Sequence, residues 1–115
     1  PYSKFYVGAS LLLDDGNILS AFNIENSSYG LSNCAERNVL FKAYTEGYKK
    51  ENIKALLIVG DTKKPISPCG ACRQVMDELM EKKCPVYLCN LKGDLIETNV
   101  NDLMPLSFDS EDLNV

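Results

Sequence analysis

The sequence predicts an α/β domain of three layers built on a mixed sheet of about five strands. One reason is the order of apolar patterns along the chain, which reads strand, strand, helix, strand, helix, strand, strand. Another is size: 115 residues, 45% hydrophobic and 24% charged, suit a single globular domain over residues 1–115. The third is continuity, since no internal repeat, low-complexity stretch or linker interrupts the chain.

Val7 to Leu13 reads as a strand, Asp14-Asp15-Gly16-Asn17 as a turn, and Ile18 to Glu25 as the returning strand of a hairpin. Asn26 to Ser32 is rich in loop formers. From Cys34 the apolar residues Ala35, Val39, Leu40, Ala43 and Tyr44 recur at helical spacing, and Gly47 supplies a stop. Ile53 to Val59 is a nearly continuous apolar run, which predicts a strand covered on both faces. Pro65 to Pro68 breaks the chain, and a second helix starts near Cys69 with Val75, Met76, Leu79 and Met80 as its inward stripe. Val86 to Cys89 reads as a buried strand, Lys92-Gly93-Asp94 as a turn, and Leu95 to Thr98 as a last strand.

Histidine is absent. That removes Ser-His and Cys-His nucleophile pairs, histidine general bases and every metal site needing an imidazole. Twelve Lys and Arg against sixteen Asp and Glu leave a net charge of -4. The basic residues pair only as Lys49-Lys50, Lys63-Lys64 and Lys82-Lys83, so a non-specific grip on nucleic acid is not expected. No apolar run reaches membrane-spanning length and no leader is present, so no membrane partner is expected. The five cysteines cannot all pair within one chain, and a reducing cytoplasm fits them best. Cys84 and Cys89 flank an apolar run and read as buried or half-buried thiols.

The chemistry gathers at the starts of the two predicted helices, Asn33-Cys34-Ala35-Glu36-Arg37 and Pro68-Cys69-Gly70-Ala71-Cys72-Arg73. Cys69 and Cys72 share one face of an opening turn, a spacing that serves zinc or redox chemistry equally well by itself. If the two starts converge, Cys34, Cys69 and Cys72 form a three-thiolate set that suits zinc and leaves its fourth position for water. Three thiolates make a negative centre, and a guanidinium from Arg37 or Arg73 would offset that charge. Glu36 stands two residues after Cys34, close enough to carry a proton between water and a substrate nitrogen, although Asn33 and Glu36 also match a helix capping box. Asn23 and Glu25 share one face of their strand and by themselves read as its solvent side.

Pro1-Tyr2-Ser3-Lys4-Phe5 with Val7-Gly8-Ala9, Asn23-Ile24-Glu25-Asn26, Asn33 to Arg37, and Ser67 to Gln74 closely resemble the cytidine deaminase family in its small homotetrameric form. The resemblance runs over nearly the whole chain, with its motifs in order. It implies the cytidine-deaminase-like fold and hydrolytic deamination of cytidine and 2′-deoxycytidine to uridine and 2′-deoxyuridine, a reaction of pyrimidine salvage. It implies one zinc ion per chain on Cys34, Cys69 and Cys72, with Glu36 as the catalytic proton shuttle and Arg37 compensating the thiolate charge. It assigns the ribose hydroxyls to Asn23 and Glu25, the pyrimidine ring to Phe5, and the base carbonyl to the Ala35 N–H. Phe108 resembles an aromatic that reaches into a neighbouring subunit's site, which implies a cytoplasmic homotetramer with shared sites; a packed tail residue is its other reading. Family members usually carry a helix ahead of the Pro-Tyr-Ser segment, so a chain starting at Pro1 reads as trimmed or processed. Three competing readings remain: a deaminase for another aminopyrimidine, a structural zinc module with Cys84 or Cys89 as fourth ligand, and a Cys69–Cys72 redox pair.

Overall fold

Two adjoining strands open the architecture. In a computed structural model that describes residues 4–26, 35–60 and 70–103, β1 (Lys4–Leu13) and β2 (Ile18–Asn26) pair antiparallel. Their turn closes through Gly16, whose φ of 88° suits glycine; its N–H donates to the Leu13 carbonyl at 3.0 Å. After α1 (Ala35–Thr45) the chain reverses at Gly47, φ 98°, where the Tyr48 N–H donates to the Ala43 carbonyl at 3.0 Å. This left-handed closure satisfies carbonyls that a helix end leaves bare.

A single 3-10 turn at Lys50–Asn52 leads into β3 (Ile53–Gly60). Then come α2 (Gly70–Leu79), β4 (Pro85–Asn90), β5 (Leu95–Asn99) and a short α3 (Val100–Leu103). The 3-10 turn and α3 escaped the periodicity reading, because neither is long enough to show a period. The start of α3 did carry a signal: Asn99 caps it, its Oδ1 accepting the Asp102 N–H at 2.7 Å.

The sheet order is β2-β1-β3-β4-β5, with β3 and β4 parallel and the other neighbours antiparallel. The expected mixed five-stranded α/β sheet is therefore what forms; of the three layers expected, the described residues provide two, the sheet and the helices on one face of it. Because β1 runs against both β2 and β3, the strands β2, β3 and β4 all point the same way. Each of α1 and α2 links two of these co-directional strands, so both helices run back against them and parallel to each other.

The helices share one face of the sheet. There Val7, Ala9, Leu11, Leu56, Ile58, Val86 and Leu88 pack with Val39, Leu40 and Ala43 of α1 and Met76 of α2, every one of them buried. Burial of this kind is the main stabilising term, roughly 1.5–3 kcal/mol for each large aliphatic side chain. The expectation that β3 is covered on both faces is corrected. Leu56 and Ile58 are buried, whereas Leu57 between them is exposed, because the described helices lie on one side only. Phe22, Ile18 and Leu12 share that open face, Phe22 at 73% exposure. Among the described residues, no helix is long and apolar enough to cross a membrane.

Candidate active site

The parallel course of α1 and α2 decides where their first turns lie. Both helices end beside the amino edge of β3 and β4: Tyr48, just past α1, donates to Asp15 in the hairpin turn at 2.7 Å, and Met80, just past α2, leads into β4. Their amino-terminal turns consequently stand at the opposite edge, beyond the carboxyl ends of β2, β3 and β4, where open α/β sheets collect their ligands. A crossover of this kind brings residues more than thirty positions apart to one edge without any local sequence signal.

Glu36 is the second residue of α1, and its carboxylate is 4% exposed. The amino end of a helix offers partial positive charge to an acidic group there. Ala35, the first residue of the helix, is fully buried, and Arg37 is half-buried. Cys72, in the first turn of α2, is fully buried, and α2 packs against α1. A carboxylate and a thiol are thus withdrawn from water at the same edge, on neighbouring helices. Burying such groups costs stability unless something is gained from them.

Cys34 and Cys69 lie outside the described residues, each immediately ahead of a described helix, and Phe108 lies outside them too. Among the described residues, no three metal-ligating side chains gather. The donor set still suits zinc: a soft, buried sulfur at Cys72, two more cysteines adjoining the two first turns, and an acidic residue within reach. For the sugar contacts, the register pairs Phe5 with Glu25 and Val7 with Asn23. The backbone positions of Phe5, Asn23 and Glu25 therefore belong to the same edge of the sheet as the two helix starts.

The structural-zinc alternative fails on position. Cys84 stands at the amino edge of β4, the far end of the sheet, with its sulfur 3.7 Å from the Ile53 carbonyl. Burial, reinforced by the charge of Glu81 and opposed by Lys54, pushes its thiol up to about 11. Cys89 pairs with Val59 and Leu95, on the sheet face turned away from the helices. Both behave as the buried and half-buried thiols expected of them.

The structure adds two contacts that motif reading had no means to find. The Arg73 guanidinium, next to Cys72, donates to the Leu103 carbonyl at 3.4 Å. The carboxyl end of α3 therefore lies alongside the first turn of α2. In addition, the Tyr44 hydroxyl of α1 donates to the Leu79 carbonyl of α2 at 2.8 Å. Neither pairing has a sequence signature, because each joins residues at least thirty positions apart.

Comparison with known proteins bears on the family and the fold. The family model described as the cytidine and deoxycytidylate deaminase zinc-binding region matches residues 1–88. Cytidine deaminase of Halalkalibacterium halodurans is 55% identical, with 99% of this chain aligned to 85% of that protein. Cytidine deaminase of Sporosarcina psychrophila is also 55% identical, across 99% of this chain and 82% of its own length. The crystal structure of cytidine deaminase from Burkholderia pseudomallei superposes with a TM-score of 0.84 at 50% identity, covering 94% of this chain and 85% of that one.

Proposed function

The chain belongs to the cytidine and deoxycytidylate deaminase family and is a hydrolytic deaminase, and from that premise we propose that it converts cytidine and 2′-deoxycytidine to the corresponding uridines with release of ammonia. The observation that carries this reading is the buried Glu36 in the first turn of α1, on a helix packed parallel to the one that buries Cys72.

Cys34, Cys69 and Cys72 are the residues that hold zinc, one ion per chain, and the metal supplies Lewis acidity toward water. Glu36 takes a proton from the attacking water and passes it to ring N3, which makes C4 more electrophilic. The remaining hydroxyl adds to C4, and Glu36 then takes that hydroxyl's proton and delivers it to the exocyclic nitrogen, which departs as ammonia as the C4 carbonyl forms. Burial favours this shuttle, because a carboxylate shielded from bulk water exchanges protons with the substrate rather than with solvent. Arg37 offsets the charge of the three sulfurs. Asn23 and Glu25 hold the ribose hydroxyls, Phe5 packs on the pyrimidine, and the Ala35 N–H donates to the base carbonyl. Phe108 enters a neighbouring copy's site in a homotetramer, and the reaction serves pyrimidine salvage in the cytoplasm.

Replacing Glu36→Gln tests the core of the proposal. Zinc content should stay at one per chain while cytidine turnover drops by about a thousandfold or more. Near-normal turnover would refute the assignment. Assays with free cytosine then address the sugar contacts: a site built on Asn23 and Glu25 loses most of its rate without the ribose.

A further inference from the structure

Two parallel helices packed side by side hold their axial register through interdigitated side chains, and a directional hydrogen bond between them selects one register more sharply than packing alone. A directional tie joins α1 to α2 near their carboxyl ends, where the Tyr44 hydroxyl donates to the Leu79 carbonyl at 2.8 Å. Leu79 is the last residue of α2, so its carbonyl has no partner within the helix. The Tyr44 ring packs against the core, which aims the hydroxyl. Burial, then the charges of Glu51 and Glu81, push the phenol above its ordinary value, so the donor proton is retained throughout the neutral range.

The lengths on either side of this tie nearly match. Tyr44 lies eight residues beyond Glu36, and Leu79 seven beyond Cys72. At 1.5 Å per residue these are about 12 Å of one helix and about 10.5 Å of the other. Both turns thus lie within about 12 Å of helix from the tie, so a shift at the tie is carried along the two rigid rods to them. A slip of one residue would move a ligand turn by about 1.5 Å, far beyond the roughly 0.2 Å tolerance of a metal–ligand distance.

We propose that Tyr44 is a positioning residue, its bond to the Leu79 carbonyl setting the axial register of α2 against α1 and thereby the spacing of the two turns on which the site is built. This rests on the placement of the site given above, and the test separates the two. Tyr44→Phe removes the hydroxyl and keeps the ring. Thr45→Ala, which deletes a hydroxyl bonded only within α1 to the Phe41 carbonyl at 2.8 Å, serves as control. The measured quantity is the rate at which folded, zinc-loaded protein gives up its metal to a chromophoric chelator. Tyr44→Phe should release zinc about fivefold faster and lower kcat by a similar factor with KM nearly unchanged, the effect of losing one hydrogen bond. Thr45→Ala should match the unaltered protein, and 4-aminophenylalanine at position 44, which restores a donor, should restore slow release.

Equal release from Tyr44→Phe and the unaltered protein would overturn the proposal. So would faster release from Thr45→Ala, because the effect would then be a general loosening of α1. An unaltered protein that holds zinc yet leaves cytidine intact would refute the reaction proposed above, and the release rates would still decide the role of Tyr44.

Discussion

The two ends of the helix layer are built on opposite principles. At the amino edge of the parallel strands, polar groups satisfy one another, most of them exposed, and the buried Asp77 there faces Lys82 at 3.9 Å. Tyr48 donates to Asp15 at 2.7 Å and accepts from Asn17 at 3.0 Å, and the Asn52 amide donates to Asp14 at 2.9 Å. At the carboxyl edge, Glu36 and Cys72 are buried. The first end ties a hairpin, a helix terminus and the entry to β3 together with bonds that each contribute about 1 kcal/mol or less. The second end spends stability to keep a carboxylate away from water, beside a buried thiol. Function is read from the end where burial and polarity conflict, since a merely stable fold has no reason to keep such groups there.

The largest effect that would sharpen this contrast comes from Glu36→Leu. Turnover should fall by about a thousandfold or more, while the thermal midpoint stays level or rises because a buried charge is replaced by an apolar side chain of similar size. A large fall in midpoint would show that the carboxylate is structural, and the contrast would break. Next is Cys84, a buried group of the far end. Its thiol is raised from the ordinary 9.0 to about 11, so the folded state holds the proton more tightly than the unfolded chain. The stability this contributes is complete below pH 9 and is lost as pH rises toward 11. Denaturant titrations should lose about 1–2 kcal/mol across that interval, and Cys84→Ala should flatten the loss.

Gly47→Ala should cost about 1 kcal/mol, because alanine is strained at the positive φ, and cytidine turnover should be unchanged. A drop in turnover there would mean that the far end communicates with the site. The smallest expected change is for Tyr48→Phe. Hydrogen bonds from the Tyr48 hydroxyl and the Asn17 N–H hold the Asp15 carboxyl below its ordinary 3.8. The stability they add is full above pH 3.8 and is lost as pH falls through the lowered value. The difference in midpoint between Tyr48→Phe and the unaltered protein should therefore be slight near neutrality and vanish in strong acid.

Much of the molecule was legible before any coordinates. The hairpin at Gly16, the stop at Gly47 and the stripe of Met76 and Leu79 in α2 depend on residues within one turn or one strand pair of each other. Their signals are local, and they were found. The open face of β3 was misread for the converse reason: an apolar run shows that a strand is greasy but not which of its faces a helix will cover. Cys84 and Cys89 read correctly as bland thiols, but only their positions at the far edge and on the averted face removed them as zinc ligands.

The residue types in this chain, with no histidine, two cysteine-bearing helix starts and an acid beside one of them, determined by themselves which chemistry was available. Tertiary structure alone decided that β2, β3 and β4 run the same way and send α1 and α2 back in parallel. It also decided that a tyrosine hydroxyl meets a carbonyl thirty-five residues away. Chemical character belongs to single side chains and is written wherever they occur. Convergence depends on strand pairing and helix packing over long loops, whose energy is spread over many weak contacts that no short stretch encodes.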